Sequence, residues 1–267
     1  MAKIKVTTQA LREMKSRGKK IVALTAYDYI MGSILDAAGV DMLLVGDSMG
    51  TVVQGHVTTV SVTFDQVRYH SEIVSRSAQR AFVVADMPFL SYHVSVEEAL
   101  RNAGTLLKES LVEAVKLEGG RSITPTVSRL SSAGIPVMGH VGLTPQHIHQ
   151  FGTYKVRGTT EEEATEIFED AVALQEAGAF GVVLEKIPSQ LAARITEELS
   201  IPTIGIGAGP HCDGQILVTH DMLGLFTQFH PRFVRRYGDM EKTMGEAISR
   251  YVQDVRNTEF PNDSESY

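Results

Sequence analysis

The sequence predicts an α/β fold, a (β/α)8 TIM barrel with an N-terminal capping helix, and three observations predict it. Short apolar, β-branched runs recur eight times along the 267 residues. Most are uniformly apolar rather than alternating, the pattern of parallel strands buried on both faces. Helix signals fill the gaps between them. Eight strand–helix units in a chain of this length suit a closed barrel, usually ~250 residues, better than an open doubly wound sheet, which stays as the alternative.

Each element follows in order. A helix over residues 8–17 precedes the first strand and is expected to plug the barrel floor. Strands are expected within 21–28, 42–47, 82–89, 111–120, 134–143, 180–188, 201–209 and 215–221. Thr63 with Gln66, Ser95 with Glu98 and Thr160 with Glu163 have capping-box spacing, in which two side chains satisfy orphan amides reciprocally. Thr144 followed by Pro145 marks another helix start. Gly39 and Gly178 stand where helices should end. No linker or composition break appears, so one domain over 1–267 is expected, with roughly the last ten residues of the polar tail disordered.

Composition narrows the function. Net charge is -7 and the basic residues form no stripe, which argues against nucleic-acid or anionic-membrane partners. The single cysteine, Cys212, rules out an intramolecular disulfide and fits a reducing compartment. The first twenty residues hold no apolar signal stretch, and no run approaches the ~20 residues that span a bilayer, so a cytoplasmic location is expected.

The informative pattern is where acids fall. Asp47, Asp86, Glu118 and Glu185 each end an apolar run. In a barrel those carboxyl ends surround one mouth, where barrel active sites are built. Packed carboxylates repel, and burial disfavours their charge further. A divalent cation with a taste for hard oxygen, such as Mg2+, would relieve both costs. The plainer reading makes each acid a helix cap or a partner for a nearby base.

Lys116 lies two residues before Glu118, so both share the interior face; it clamps a substrate carboxylate or simply pairs with the glutamate. Ser48 offers a hydroxyl and a backbone amide beside Asp47. Gly205, Gly207 and Gly209 lack dinucleotide-fingerprint spacing and read as a tight turn or a place where a flat ligand meets the backbone. His140 is either a ligand contact or a structural histidine, while His147 and His149 make a poor metal pair.

Several stretches together resemble the ketopantoate hydroxymethyltransferase family. They are TAYD (25–28), VGDSMG with TVVQGH (45–56), ADMPF with SY (85–92), AVKLEGG (114–120), MGHVGLTPQ (138–146), LEKIP (184–188), IGIGAGP (204–210), and DMLGL with PRFVRRY (221–237). They run in order across nearly the whole chain. The resemblance implies transfer of a one-carbon hydroxymethyl unit from 5,10-methylenetetrahydrofolate to 3-methyl-2-oxobutanoate, through a Mg-stabilised enolate, in pantothenate biosynthesis. It implies one Mg2+ per subunit and a homo-oligomer, typically a decamer. Residue by residue, Asp47, Asp86 and Glu118 match metal positions. Asp47, Ser48, Asp86 and Lys116 match α-keto acid contacts, and Glu185 matches the proton acceptor. Two other readings remain: a Mg-dependent barrel lyase of the phosphoenolpyruvate mutase type, and a non-catalytic barrel scaffold. The lyase chemistry normally uses a cysteine in a mobile loop, and Cys212 after the seventh strand is poorly placed for it.

Overall fold

In the computed structural model, which describes residues 4–267, all eight expected strands form. They are β1 (Ile21–Thr25), β2 (Met42–Val45), β3 (Phe82–Asp86), β4 (Ala114–Glu118), β5 (Val137–Gly142), β6 (Gly181–Glu185), β7 (Thr203–Ile206) and β8 (Gly214–Leu217). Neighbours pair in parallel in chain order, and β8 returns to β1, closing the barrel. A closed barrel leaves no unpaired sheet edge, which settles the fold against the open sheet.

The two faces of each strand separate cleanly. On β3, Val83 and Ala85 join the outer core with the surrounding helices, whereas Phe82 and Val84 face an inner cluster with Met42, Ala114, Met138 and Ile216. Phe82 and Phe180 meet edge to face there, with ring centroids 5.5 Å apart. Helix α1 (Thr8–Ser16) contributes Leu11 and Met14 to this inner cluster, so it closes the floor as expected. Apolar interior side chains therefore fill the lower barrel.

Helices α2 (Tyr29–Ala37), α3 (Met49–Val52), α4 (Phe64–Ser77), α5 (Val96–Glu109), α6 (Thr124–Ser132), α7 (Ile148–Phe151), α8 (Glu161–Glu176) and α9 (Ser189–Glu198) follow the strands. The longer ones bury residues three or four apart against the outer strand face, such as Ala99, Ala103 and Leu106 on α5. The Thr63–Gln66 capping box forms in full. Ser95 and Thr160 each accept the expected amide, from Glu98 and Glu163. The Glu163 carboxylate, however, accepts from the Gly158 amide at 2.7 Å and meets Arg157 at 2.5 Å. A charged partner is the stronger offer. After Thr144, Pro145–His147 forms a 3-10 turn leading into α7. Gly39 and Gly178 take φ of 91° and 98°, the left-handed backbone that ends a helix.

Cα packing divides the chain into two compact units, one ending at Leu217 and one spanning Val218–Tyr267. The first holds the whole barrel. The second holds α10 (Thr219–Met222), α11 (Met240–Arg256) and a 3-10 turn at Asp263–Glu265. Asp239 caps α11, and the Phe260 ring lies 5.4 Å from that of Tyr251. Among the described residues, no helix is long and apolar enough to cross a membrane.

Candidate active site at the carboxyl ends of the strands

Strand periodicity changes from apolar to ionisable one step above the inner core. The interior series Val84–Asp86, Ala114–Lys116–Glu118, Met138–His140 and Val183–Glu185 each continue from an apolar residue to a titratable one. Register sets these groups side by side. Asp86 pairs with Lys116, Glu118 with His140, and Glu185 with Gly142. Asp47 arrives from the turn after β2, and its amide donates to Asp86 Oδ2 at 2.9 Å.

The resulting ring is nearly dry. Asp47, Asp86, Lys116, Glu118 and His140 are all at most 4% exposed. Lys116 Nζ stands 3.0 Å from Asp86 Oδ1, 3.1 Å from His140 Nδ1 and 3.7 Å from Glu118 Oε1. The nearest acid is thus Asp86, across the strand, rather than Glu118 on the same strand. His140 Nδ1 lies 3.4 Å from Glu118 Oε1, and its Nε2 lies 3.4 Å from Glu185 Oε2. Ser48 Oγ shares a 2.7 Å hydrogen bond with the Tyr27 hydroxyl. All six residues expected at the site therefore line this end of the barrel, and His140 joins them.

Electrostatics show an excess of acid. Burial pushes the Asp47 carboxyl well above its usual range, and the charges of Asp86 and Glu118 push it further. Burial also raises Asp86, against the pull of Lys116. Burial acts on Glu118 in the same sense, but the His140 hydrogen bond and the Lys116 charge outweigh it and hold the acid at about 2. Burial and Lys116 push His140 down, yet Glu118 and Glu185 raise it to about 9. Lys116 stays charged: burial lowers it, and Asp86, Glu118 and Asp47 more than compensate.

Four carboxyl groups thus face two basic groups; burial raises both Asp47 and Asp86, and on Asp47 the neighbouring carboxylates add to it. Among the described residues, no three acids, histidines or cysteines form a ready-made ligand cage. The donor chemistry still fits Mg2+, a hard cation that takes carboxylate oxygens and completes its shell with substrate oxygens and water. Asp86 Oδ1 supports the fit, being buried with an ion pair to Lys116 but no hydrogen bond of proper geometry.

Two residues at the site escaped the reading of acids and bases. Gln146 and Tyr92 are both 3% exposed and knit the ring together through hydrogen bonds. Neither carries a charge at neutral pH, so a search for titratable clusters passes over them. Their one sequence signal was membership of stretches that carried the family resemblance. Elsewhere, Gly207 and Gly209 have φ of 63° and 81°, making a tight turn whose Gly209 carbonyl accepts from Gln215. Cys212 is free and buried, and burial raises its thiol above the usual range. That environment makes an inert cysteine rather than a nucleophile.

A parallel barrel with buried acids and a charged lysine at its strand ends defines a barrel enzyme. The sequence pattern of the ketopantoate hydroxymethyltransferase family matches residues 5–263, and the chain belongs to that family. Proteins named 3-methyl-2-oxobutanoate hydroxymethyltransferase share much of the sequence. The one from Prosthecochloris aestuarii is 59% identical over 266 residues, covering 98% of this chain and 96% of that protein. The one from Cytophaga hutchinsonii is 56% identical over 263 residues, covering 98% and 97%. Solved structures agree on the fold. Phosphonopyruvate hydrolase in complex with oxalate and Mg2+ aligns with TM-score 0.63 at 11% identity, over 97% of this chain and 92% of that one. For 2,3-dimethylmalate lyase, a member of the PEP mutase/isocitrate lyase superfamily, the values are 0.63 and 17%, over 93% and 88%.

Proposed function

We propose that this enzyme transfers a hydroxymethyl unit from 5,10-methylenetetrahydrofolate to 3-methyl-2-oxobutanoate, giving ketopantoate for pantothenate biosynthesis. The observation that carries the reading is the convergence of Asp47, Asp86, Lys116, Glu118 and Glu185 on one end of the barrel, in a chain of this family. Asp47, Asp86 and Glu118 would hold Mg2+, which supplies Lewis-acid polarisation of the substrate ketone.

The remaining work falls to the protein's own groups. Lys116, kept charged by its acidic neighbours, pairs with the keto-acid carboxylate, and the Ser48 hydroxyl donates to the same group. Asp47 and Asp86 flank the bound keto acid. Glu185 removes the proton from the carbon next to the ketone, and His140, 3.4 Å from its carboxylate, orients it. The carbanion so formed bonds to the methylene carbon of the folate. A water supplies the hydroxyl oxygen as that carbon's bonds to the two folate nitrogens break, and tetrahydrofolate leaves with one proton from Glu185 and one from the water. Burial of the ring keeps bulk solvent away, which strengthens the charge interactions within it.

The same reading makes the protein a cytoplasmic homo-oligomer. It draws support from the free thiol of Cys212 and from α11, where Met244, Ile248, Tyr251 and Val255 expose an apolar stripe at helical spacing.

Proton NMR of 3-methyl-2-oxobutanoate in deuterated buffer tests the chemistry. Mg2+-dependent loss of the proton beside the ketone is expected, followed by ketopantoate signals once methylenetetrahydrofolate is added. Neither exchange nor product from folded, Mg2+-supplied protein would reject the reading at its centre.

A further inference from the structure

Gln146 touches two of the acids from a single residue. Its Nε2 donates to Asp47 Oδ2 at 2.8 Å and to the Met87 carbonyl at 3.0 Å. Its backbone N–H donates to Glu118 Oε2 at 2.9 Å. The Tyr92 hydroxyl lies 2.9 Å from Gln146 Oε1 and 3.0 Å from the Glu118 carbonyl, while accepting the Glu118 amide at 3.1 Å. With two acceptors around Nε2, the amide cannot flip without turning its oxygen onto a carboxylate and a carbonyl. Its orientation is therefore fixed by the surrounding groups.

The chemical type of this residue matters. Lys116 also binds the acids, but it neutralises them and so competes with any cation. A carboxamide donates hydrogen bonds without removing charge. It can hold two like-charged carboxylates in place while leaving their negative charge for something else. Asp47 follows β2, Glu118 ends β4 and Gln146 follows β5, so one residue ties together three separate segments.

We propose that Gln146 is a positioning residue for the divalent cation, holding the Asp47 and Glu118 carboxylates apart and aimed before the cation arrives. Tyr92 serves it by fixing the amide. The inference rests on the metal site of the preceding section. A prearranged pair of carboxylates loses little freedom on binding, and partners that orient ligands in this way typically contribute ~10- to 100-fold in metal affinity.

Gln146→Met tests it, because it keeps the side-chain volume and the backbone donor to Glu118 while deleting both side-chain donors. Calorimetric titration of the full chain with MgCl2, without keto acid or folate, is expected to show ~10- to 100-fold weaker binding. Turnover should recover substantially at high Mg2+, since the reacting groups stay in place. A purely structural role would instead lower the melting temperature of the metal-free protein and leave Mg2+ affinity unchanged, which would overturn the proposal. If Gln146→Met does not fold, Tyr92→Phe decides: several-fold weaker Mg2+ binding supports the proposal and unchanged binding rejects it. Wild-type protein that binds no Mg2+ would take down the metal site itself and this inference with it. Equal binding by wild type and variants would reject this inference alone.

Discussion

Lys116 stands with its ammonium 3.0 Å from Asp86 and 3.7 Å from Glu118, both buried with it. Removing one member of a buried ion pair leaves a charge without compensation, and such losses run at ~3 kcal/mol or more. Lys116→Ala is therefore expected to destabilise the metal-free protein by about that amount in urea unfolding, as well as weakening keto-acid binding. Unchanged keto-acid affinity in the folded variant would confine the lysine to a structural role. Glu185→Gln separates base from metal shell. Turnover should fall by ~100-fold or more, the scale of losing a general base, with Mg2+ affinity nearly unchanged. A large loss of Mg2+ binding in that variant would move Glu185 among the metal ligands. Residue types and spacing made the acids, Lys116 and Ser48 legible in the sequence. The partner of Lys116 was not, because strand pairing rather than chain proximity brings Asp86 nearest.

At the end of β5, one glycine governs where Glu185, the proposed base, stands. Gly142 has φ of 92° and pairs with Glu185, and a Cβ there would lie 2.3 Å from the Glu185 carbonyl oxygen. That oxygen accepts the Leu143 amide at 2.8 Å, so it cannot retreat without breaking a hydrogen bond. Gly142→Ala combines a left-handed backbone with a backbone clash and is expected to cost ~2 kcal/mol or more. It should also lower turnover by displacing Glu185. Denaturant unfolding together with steady-state kinetics checks both effects, and wild-type values for each would show that the strand ends have room to shift. At this scale the sequence revealed every strand and the main caps, since apolar runs and capping residues act locally. It did not reveal that Glu163 would turn to Arg157 and Gly158, a choice set by which partners surround the helix start.

Across the barrel, the distribution of charge is the property most open to test. The lower interior is apolar while the upper ring carries more carboxyl groups than basic ones. A cation bound only by the folded ring stabilises the fold by mass action, ~2.7 kcal/mol at a hundred times its dissociation constant. For a chain of this size that corresponds to a rise in melting temperature of roughly 5–10 °C, reversed by EDTA. Mg2+ that leaves melting unchanged at high concentration would show that the ring does not gather it.

By itself the sequence determined the eight-stranded barrel, the floor helix and the set of acids at the strand ends. Periodicity, caps and the residue that closes each apolar run are properties of neighbours along the chain. Only the tertiary structure decided which of these groups touch. The Gln146–Asp47 bond joins residues 99 apart and the Tyr92–Gln146 bond residues 54 apart. Such contacts depend on strand register and barrel closure, which bring distant segments within hydrogen-bond reach and leave no trace in local sequence pattern.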